Sequence, residues 1–144
     1  MKSKATKYKQ RIINIWNEVA PFYHNRWAKN EIGPFSVTNS LIKSARIKSG
    51  HTVLDLACGT GLVTKKILTK VGNGQVYGVD SSKSALDIAR KWVGKKKRAY
   101  WHVIVSNFVS NWIVSASPRM KCMFFLFLTH FLAMSNADFE LSTP

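Results

Sequence analysis

The stretch Val53-Leu-Asp-Leu-Ala-Cys-Gly-Thr-Gly61 begins as an apolar strand and ends in a glycine-rich turn. Because glycine has no Cβ, Gly59 and Gly61 let the backbone turn tightly and approach a ligand that a side chain would exclude. Beyond the turn, apolar residues at helical spacing predict a helix that carries Val63, Ile67, Leu68 and Val71. The stretch therefore predicts a strand, a ligand-approaching loop and a helix.

The same alternation repeats further along the chain. Gln75 to Asp80 has the pattern of a second strand, and Ser81 or Ser82 can cap a helix whose inward residues are Ala85, Leu86, Ala89 and Val93. Residues 100–106 predict a third strand. Alternating strands and helices imply a parallel sheet with helical crossovers, so the predicted fold class is α/β.

Two helices are predicted ahead of the first strand. An amphipathic helix runs from about Thr6 to Ala20 and stops at Pro21, on the apolar stripe Tyr8, Ile12, Trp16 and Val19. A second helix opens at Pro34 and ends at Ser49-Gly50, with one face formed by Val37, Leu41, Ile42 and Ala45. Both belong to a predicted helical cap over residues 1–48.

Two acidic residues have a fixed relation to the glycine turn. Asp55 lies four residues ahead of Gly59, and Asp80 lies 19 positions past Gly61 at the end of the second strand. An acid there can accept hydrogen bonds from both ribose hydroxyls of an adenosine. A hydride-transfer dinucleotide site requires a small residue where this chain has Thr64, so the spacing favours a cofactor without a pyrophosphate.

Asp55-Leu-Ala-Cys-Gly-Thr-Gly61 and Val79-Asp-Ser-Ser-Lys-Ser-Ala-Leu-Asp-Ile-Ala89 resemble class I S-adenosylmethionine-dependent methyltransferases. The resemblance is to the group that includes the ubiquinone and menaquinone biosynthesis enzymes. Trp16-Asn-Glu-Val-Ala-Pro-Phe-Tyr23 resembles their aromatic entry segment, and the similarity covers about Ile15 to Val93. It implies a Rossmann-like sheet over residues 49–107 and S-adenosyl-L-methionine as the cofactor.

The resemblance also implies roles for individual residues. Asp55 would lie beside the methionine end of the cofactor, and Asp80 would hold the ribose hydroxyls. Tyr23 would close over the methionine moiety, and the remaining cofactor contacts would come from Ala57, Gly59, Gly61, Ser81 and Ser82. Four plainer interpretations stay open: Asp55 capping the turn, Asp80 serving only as a turn residue, Ser81 serving only as a helix cap, and Tyr23 packing in the core.

Methyl transfer from a sulfonium mainly requires that the acceptor lie close to the methyl group and in line with the bond that breaks. No catalytic side chain is therefore assigned. We expect a methyltransferase acting on a small-molecule acceptor. The alternatives are a non-catalytic fragment that binds cofactor or a partner, and a methyltransferase directed at nucleic acid. The basic residues among the first twelve and Lys95 to Arg98 suit the last alternative, although a solubilising tail and a solvated loop are the favoured explanation.

The segment 108–144 is predicted to be atypical. No acidic residue lies between Asp87 and Asp138, and Asn107 stands where the family typically has an acid that reaches the adenine. The sequence therefore predicts a chain truncated or altered after about residue 107, with an incomplete sheet and weak or no turnover. The apolar run Cys122 to Met134 is shorter than the roughly 20 residues of a bilayer span and predicts a buried strand or core helix.

Composition sets the remaining expectations. The chain has 144 residues, 46% of them hydrophobic, which suits one domain, and its net charge of +15 should attract anions. Two cysteines cannot form a secreted disulfide framework, so a reducing, cytoplasmic setting is expected. The four histidines show no metal-ligand spacing, so no metal site is expected. Composition leaves the oligomeric state undetermined.

Overall fold

The structure, a computed structural model, describes residues 4–94, 98–103 and 120–123. Four parallel strands form one sheet in the order β3-β2-β1-β4. Their bounds are β1 Thr52–Leu56, β2 Gln75–Asp80, β3 Ala99–Val103 and β4 Met120–Met123. This arrangement confirms the α/β class with a parallel sheet that the alternating pattern predicted.

The helices occupy the positions expected from apolar periodicity, with different ends. They are α1 Lys4–Tyr23, α2 Thr38–Ser44, α3 Leu62–Lys70 and α4 Lys83–Val93. A π-helical segment, His24–Ala28, continues α1, and a short 3₁₀ helix, Gly33–Phe35, precedes α2. Among the described residues, no helix is both long enough and apolar enough to cross a lipid bilayer.

The core lies between the sheet and helices α2 and α3. Val53 of β1 and Val76 of β2 pack against the apolar face of α3 and against Ile42 of α2, and all are nearly fully buried. The α3 residues in this cluster are Val63, Ile67 and Val71. Burying one such side chain stabilises the fold by about 1.5–3 kcal/mol, so the cluster fixes α3 against β1.

Pro21 does not end the first helix, contrary to the sequence prediction. The α-helix continues to Tyr23, and its last turns widen into π-helical geometry closed by a hydrogen bond from the Lys29 amide to the His24 carbonyl. Proline removes one backbone hydrogen bond, and a local change of helical pitch accommodates that loss without ending the helix. The predicted stripe is also only partly buried, because Tyr8 and Val19 are exposed.

The second helix is shorter than predicted. Pro34 lies in the 3₁₀ turn rather than at the start of α2, and α2 ends at Ser44, five residues before Ser49. Val37 takes the N-cap position and is exposed, so it does not share the buried face of Ile42. Arg46 adopts a positive φ of 50°, which stops helical propagation ahead of β1.

Part of the segment predicted to be atypical lies in the sheet. Met120–Met123 pairs in parallel with β1, with Thr52 opposite Met120 and Asp55 opposite Met123. The apolar run predicted as a strand or core helix therefore contributes Cys122 and Met123 to β4. Asn107 and residues 124–144 lie outside the described residues, and so do residues 104–106 of the predicted third strand.

Candidate functional site

Asp55 lies buried near the end of β1 and is held by the helix that follows. The Thr64 hydroxyl of α3 donates a hydrogen bond of 2.5 Å to the Asp55 carboxylate. Burial raises the pKa of Asp55 to about 7, the Thr64 hydrogen bonds oppose this rise, and the negative charge of Asp80 adds to it. Thr64, where a dinucleotide site would have a small residue, thus anchors Asp55.

The loop after β1 alternates left-handed residues. Ala57, Gly59 and Gly61 have φ of 54°, 53° and 88°. A Cβ placed on Gly59 would meet no atom within 4 Å, whereas one on Gly61 would lie 2.9 Å from the Cβ of Ala89. Gly61 therefore lets α4 pack closely against the loop, and Gly59 leaves an open space that a ligand can enter.

Asp80 at the end of β2 joins this loop to the start of α4. Its two carboxylate oxygens accept hydrogen bonds of 2.8 Å, one from the Gly59 amide and one from the Ser82 amide. Burial raises the pKa of Asp80, and these amides together with that of Ser81 oppose the rise. The two hydrogen bonds of 2.8 Å fill one of the two acceptor sites on each oxygen, so the carboxylate keeps acceptor capacity for hydroxyl donors from a ligand.

Ser82, rather than Ser81, caps α4. Its hydroxyl oxygen accepts a hydrogen bond of 3.1 Å from the Ala85 amide. Ser81 is half-buried and precedes the N-cap residue in the chain. Because Ser82 occupies the N-cap position, Ser81 does not cap α4. The two alternatives for the cap are resolved, and a role of Ser81 toward the cofactor stays a prediction.

Asn17 of α1 is a residue that sequence reasoning missed. Its side-chain oxygen accepts hydrogen bonds from the Ser82 hydroxyl at 3.0 Å and from the Ser84 amide at 3.1 Å. These contacts fix the first helix beside the Asp80 end of the site. No sequence signal marks this pairing, because the partners are 65 and 67 residues apart.

His24 makes a second connection between the N-terminal helices and the loop. Its Nδ1 lies 3.0 Å from the Thr60 hydroxyl, and its ring packs edge-on against Trp92 of α4 at 4.6 Å. Burial lowers the pKa of His24, and the positive charges of Lys29 and Lys65 lower it further. The imidazole therefore favours the neutral form beside Thr60.

Tyr23 lies in an aromatic cluster next to the loop. Its ring makes edge-on contacts with Trp16, Trp27 and Phe35 at centroid distances of 5.7, 5.1 and 5.5 Å. Desolvation raises the pKa of its phenol. The cluster packs against Leu62, the first residue of α3, so core packing accounts for Tyr23 and its closure over a cofactor stays a prediction.

Cys58 lies within the loop but lacks the character of a nucleophile. It is buried, and burial together with the charges of Asp55 and Asp80 raises the pKa of its thiol. The thiol therefore stays protonated at neutral pH. Across residues 4–94 and 98–103, no group of three or more His, Cys, Asp or Glu side chains is placed to hold a metal ion.

Ala57→Gly should raise the free energy of unfolding by about 0.5–1 kcal/mol. Alanine at positive φ is strained by about 1–2 kcal/mol, and glycine relieves that strain. The greater conformational freedom of glycine in the unfolded chain offsets about half of the stability gained in this way. Urea titration measures the change. Ala45→Gly, at an exposed residue with φ of −68°, is the matched control and should lower stability; a loss in both variants would contradict the strain at Ala57.

Comparison with known proteins identifies the family to which the chain belongs. A family model described as a methyltransferase domain matches residues 53–139, which extends beyond residue 107 and includes β4. The 2-phytyl-1,4-naphtoquinone methyltransferase of Nostoc punctiforme is 37% identical over 84 residues, which are 56% of this chain and 36% of the relative. The probable cobalt-precorrin-6B C(15)-methyltransferase of Saccharolobus solfataricus is 36% identical over 81 residues, 53% of this chain and 41% of the relative.

The fold also recurs among solved structures. The DhpI–SAH complex superposes with a TM-score of 0.51 at 16% identity, over 64% of this chain and 42% of that one. At this identity the likeness shows the fold alone. The chain spans about two fifths or less of the length of the curated relatives named above.

Proposed function

Since the chain belongs to the family defined by a methyltransferase domain, we propose that its glycine loop binds S-adenosyl-L-methionine for methyl transfer to a small-molecule acceptor. The observation that carries the proposal is the position of Asp80. Its carboxylate is fixed at the mouth of the loop by the Gly59 and Ser82 amides and keeps acceptor capacity for hydroxyl donors. A ribose diol supplies such donors.

The residues around Asp80 fit the rest of the cofactor. The open space at Gly59 admits a ligand close to the backbone, and Ala57 is exposed on the same loop. Asp55, whose pKa burial raises to about 7, lies at the base of the loop on the neighbouring strand end. The methionine end would approach Asp55, and Ser81 would lie near the ribose or adenine edge.

The chain's part in the reaction is to bind and orient. The cofactor, when bound, supplies a methyl group already activated by its sulfonium, so transfer to a nucleophile needs alignment more than acid or base assistance. Asn17 and His24 support this role, because His24 fastens the N-terminal helices to Thr60 of the loop and Asn17 fastens α1 to the start of α4. The names of the relatives support a small-molecule acceptor, since each names one.

Asp80→Ala should weaken S-adenosylhomocysteine binding by about 100-fold or more, as measured by titration calorimetry. Two hydrogen bonds to a charged acceptor are lost, each worth about 1.5–3 kcal/mol. Asp80→Asn, which keeps one acceptor oxygen, should lie between wild type and Asp80→Ala.

The matched control is Asp87→Ala, an exposed carboxylate on α4 that pairs with Lys83 and Arg90. It should bind as wild type does. Circular dichroism confirms that each variant is folded. Wild-type affinity in a folded Asp80→Ala protein, or no binding by folded wild type, would overturn the proposal.

A further inference from the structure

An exposed apolar stripe runs along α1. It consists of Tyr8, Ile15, Val19 and Phe22, whose exposed fractions are 69%, 42%, 37% and 63%. Their spacings of seven, four and three residues place all four within an arc of about 60° at 3.6 residues per turn. A helix face this apolar and this exposed marks an interaction surface.

The stripe is separate from the face of α1 that supports the fold. Asn17, which bonds to the start of α4, and the buried Ala20 lie on that supporting face. The helical wheel puts them more than about 90° from the stripe. Phe22 also makes an edge-on contact with Trp27 at a centroid distance of 6.3 Å. Changing the stripe residues leaves in place the Asn17 hydrogen bonds that hold α1 to the start of α4.

Basic residues are concentrated in and just before the N-terminal half of α1, the helix that carries the stripe. Between Met1 and Asn17 the chain has five basic residues and no acidic one, and the first acid is Glu18. The described basic side chains, Lys7, Lys9 and Arg11, are exposed. Basic residues beside an exposed apolar face are the pattern of helices that lie flat in a membrane interface.

We propose that α1 docks the protein onto an anionic membrane surface, with the stripe inserted at the headgroup boundary and the basic residues facing acidic lipid. Charge complementarity selects this partner over a second copy of the chain, whose α1 would bring the same four basic residues, Lys4, Lys7, Lys9 and Arg11. The aliphatic side chains of Ile15 and Val19 select it over nucleic acid, which offers phosphates and base faces but no apolar layer.

The test is co-sedimentation of the full chain with vesicles of phosphatidylcholine alone or mixed with phosphatidylserine. We expect binding to the mixed vesicles that weakens with added salt and is much weaker to phosphatidylcholine alone. The double variant Tyr8→Ser/Phe22→Ser should reduce binding at least about tenfold, because it removes the two most exposed anchors. Lys7→Gln/Arg11→Gln should reduce it by a factor on the order of fivefold per charge.

Two controls match these variants away from α1. Ile32→Ser removes an exposed apolar side chain, and Lys43→Gln/Lys70→Gln removes two exposed charges; both should bind as wild type does. Equal loss in the controls would overturn the proposal. So would equal binding to both vesicle types, or no binding by folded protein.

Two further outcomes would assign the surface to other partners and overturn the membrane proposal. One is self-association in sedimentation velocity that the Tyr8→Ser/Phe22→Ser variant abolishes while vesicle binding is absent. The other is salt-dependent RNA binding that this variant retains while vesicle binding is absent. Because the stripe lies outside the glycine loop, failure here leaves S-adenosylhomocysteine binding intact and is distinguishable from failure of the proposed function.

Discussion

Gly61→Ala should lower the free energy of unfolding by about 3 kcal/mol, whereas Gly59→Ala should lower it by only about 1 kcal/mol. Both put an alanine at positive φ, which costs about 1–2 kcal/mol. Only at Gly61 does the new Cβ also overlap its surroundings, at 2.9 Å from the Ala89 Cβ and 3.2 Å from Trp101 and Val93. Overpacking of this kind adds about 1–3 kcal/mol.

Urea denaturation followed by tryptophan fluorescence measures both losses. Adding Ala89→Gly to Gly61→Ala removes the contacting Cβ, so the double variant should lose less stability than the two single variants combined. Gly59→Ala should instead weaken S-adenosylhomocysteine binding, because its Cβ enters the open space over the loop. Equal stability losses at the two glycines would show that the loop packs differently from the structure.

The free energy of unfolding of the wild type should fall as pH rises from about 4 to about 7, and this fall should be absent from Asp55→Asn. Burial raises the pKa of Asp55 to about 7 from its usual 3.8, so the folded state binds a proton that the unfolded state releases. A group whose pKa is raised in the folded state stabilises the fold fully only below its unfolded pKa, here about pH 4. This stabilisation is lost as pH rises to the folded pKa of about 7. Over that window the loss amounts to roughly 3–4 kcal/mol.

The measurement is the difference in unfolding free energy between wild type and Asp55→Asn from about pH 4 to pH 8, because other titrating groups cancel in that difference. Asparagine keeps an oxygen that can accept the Thr64 hydrogen bond. Asp87→Asn is the control, since its exposed carboxyl has a pKa lowered by Lys83 and Arg90. Parallel pH curves for wild type and Asp55→Asn would contradict the burial of an ionisable Asp55.

The sheet and its loop were predictable because local signals agree there. Strand β2 has the predicted bounds, β1 lies where an apolar strand was predicted ahead of the glycine turn, and Ser82 is one of the two predicted caps. Asp55, Gly59 and Asp80 come together because adjacent parallel strands end at the same edge. Such positions follow from periodicity and chain direction alone.

The N-terminal contacts were not predictable from the sequence. Asn17 and His24 meet the site through hydrogen bonds to residues 36 to 67 positions away, and no periodicity encodes such a pairing. The end of α1 was predicted wrongly because the chain continues past Pro21 into a π-helical segment, whose first residue, His24, makes a tertiary contact with Thr60. Tertiary packing here overrides a strong local signal.

The most direct test of the central claim is an NMR titration of ¹⁵N-labelled protein with S-adenosylhomocysteine. The Gly59 and Ser82 amides donate to the carboxylate that is proposed to take the ribose hydroxyls, so both signals should shift together and saturate at one affinity. The amide of Lys43, an exposed residue of α2, is the reference signal and should not move. Saturable shifts that leave Gly59 and Ser82 unchanged, or no shifts at all, would contradict cofactor binding at this loop.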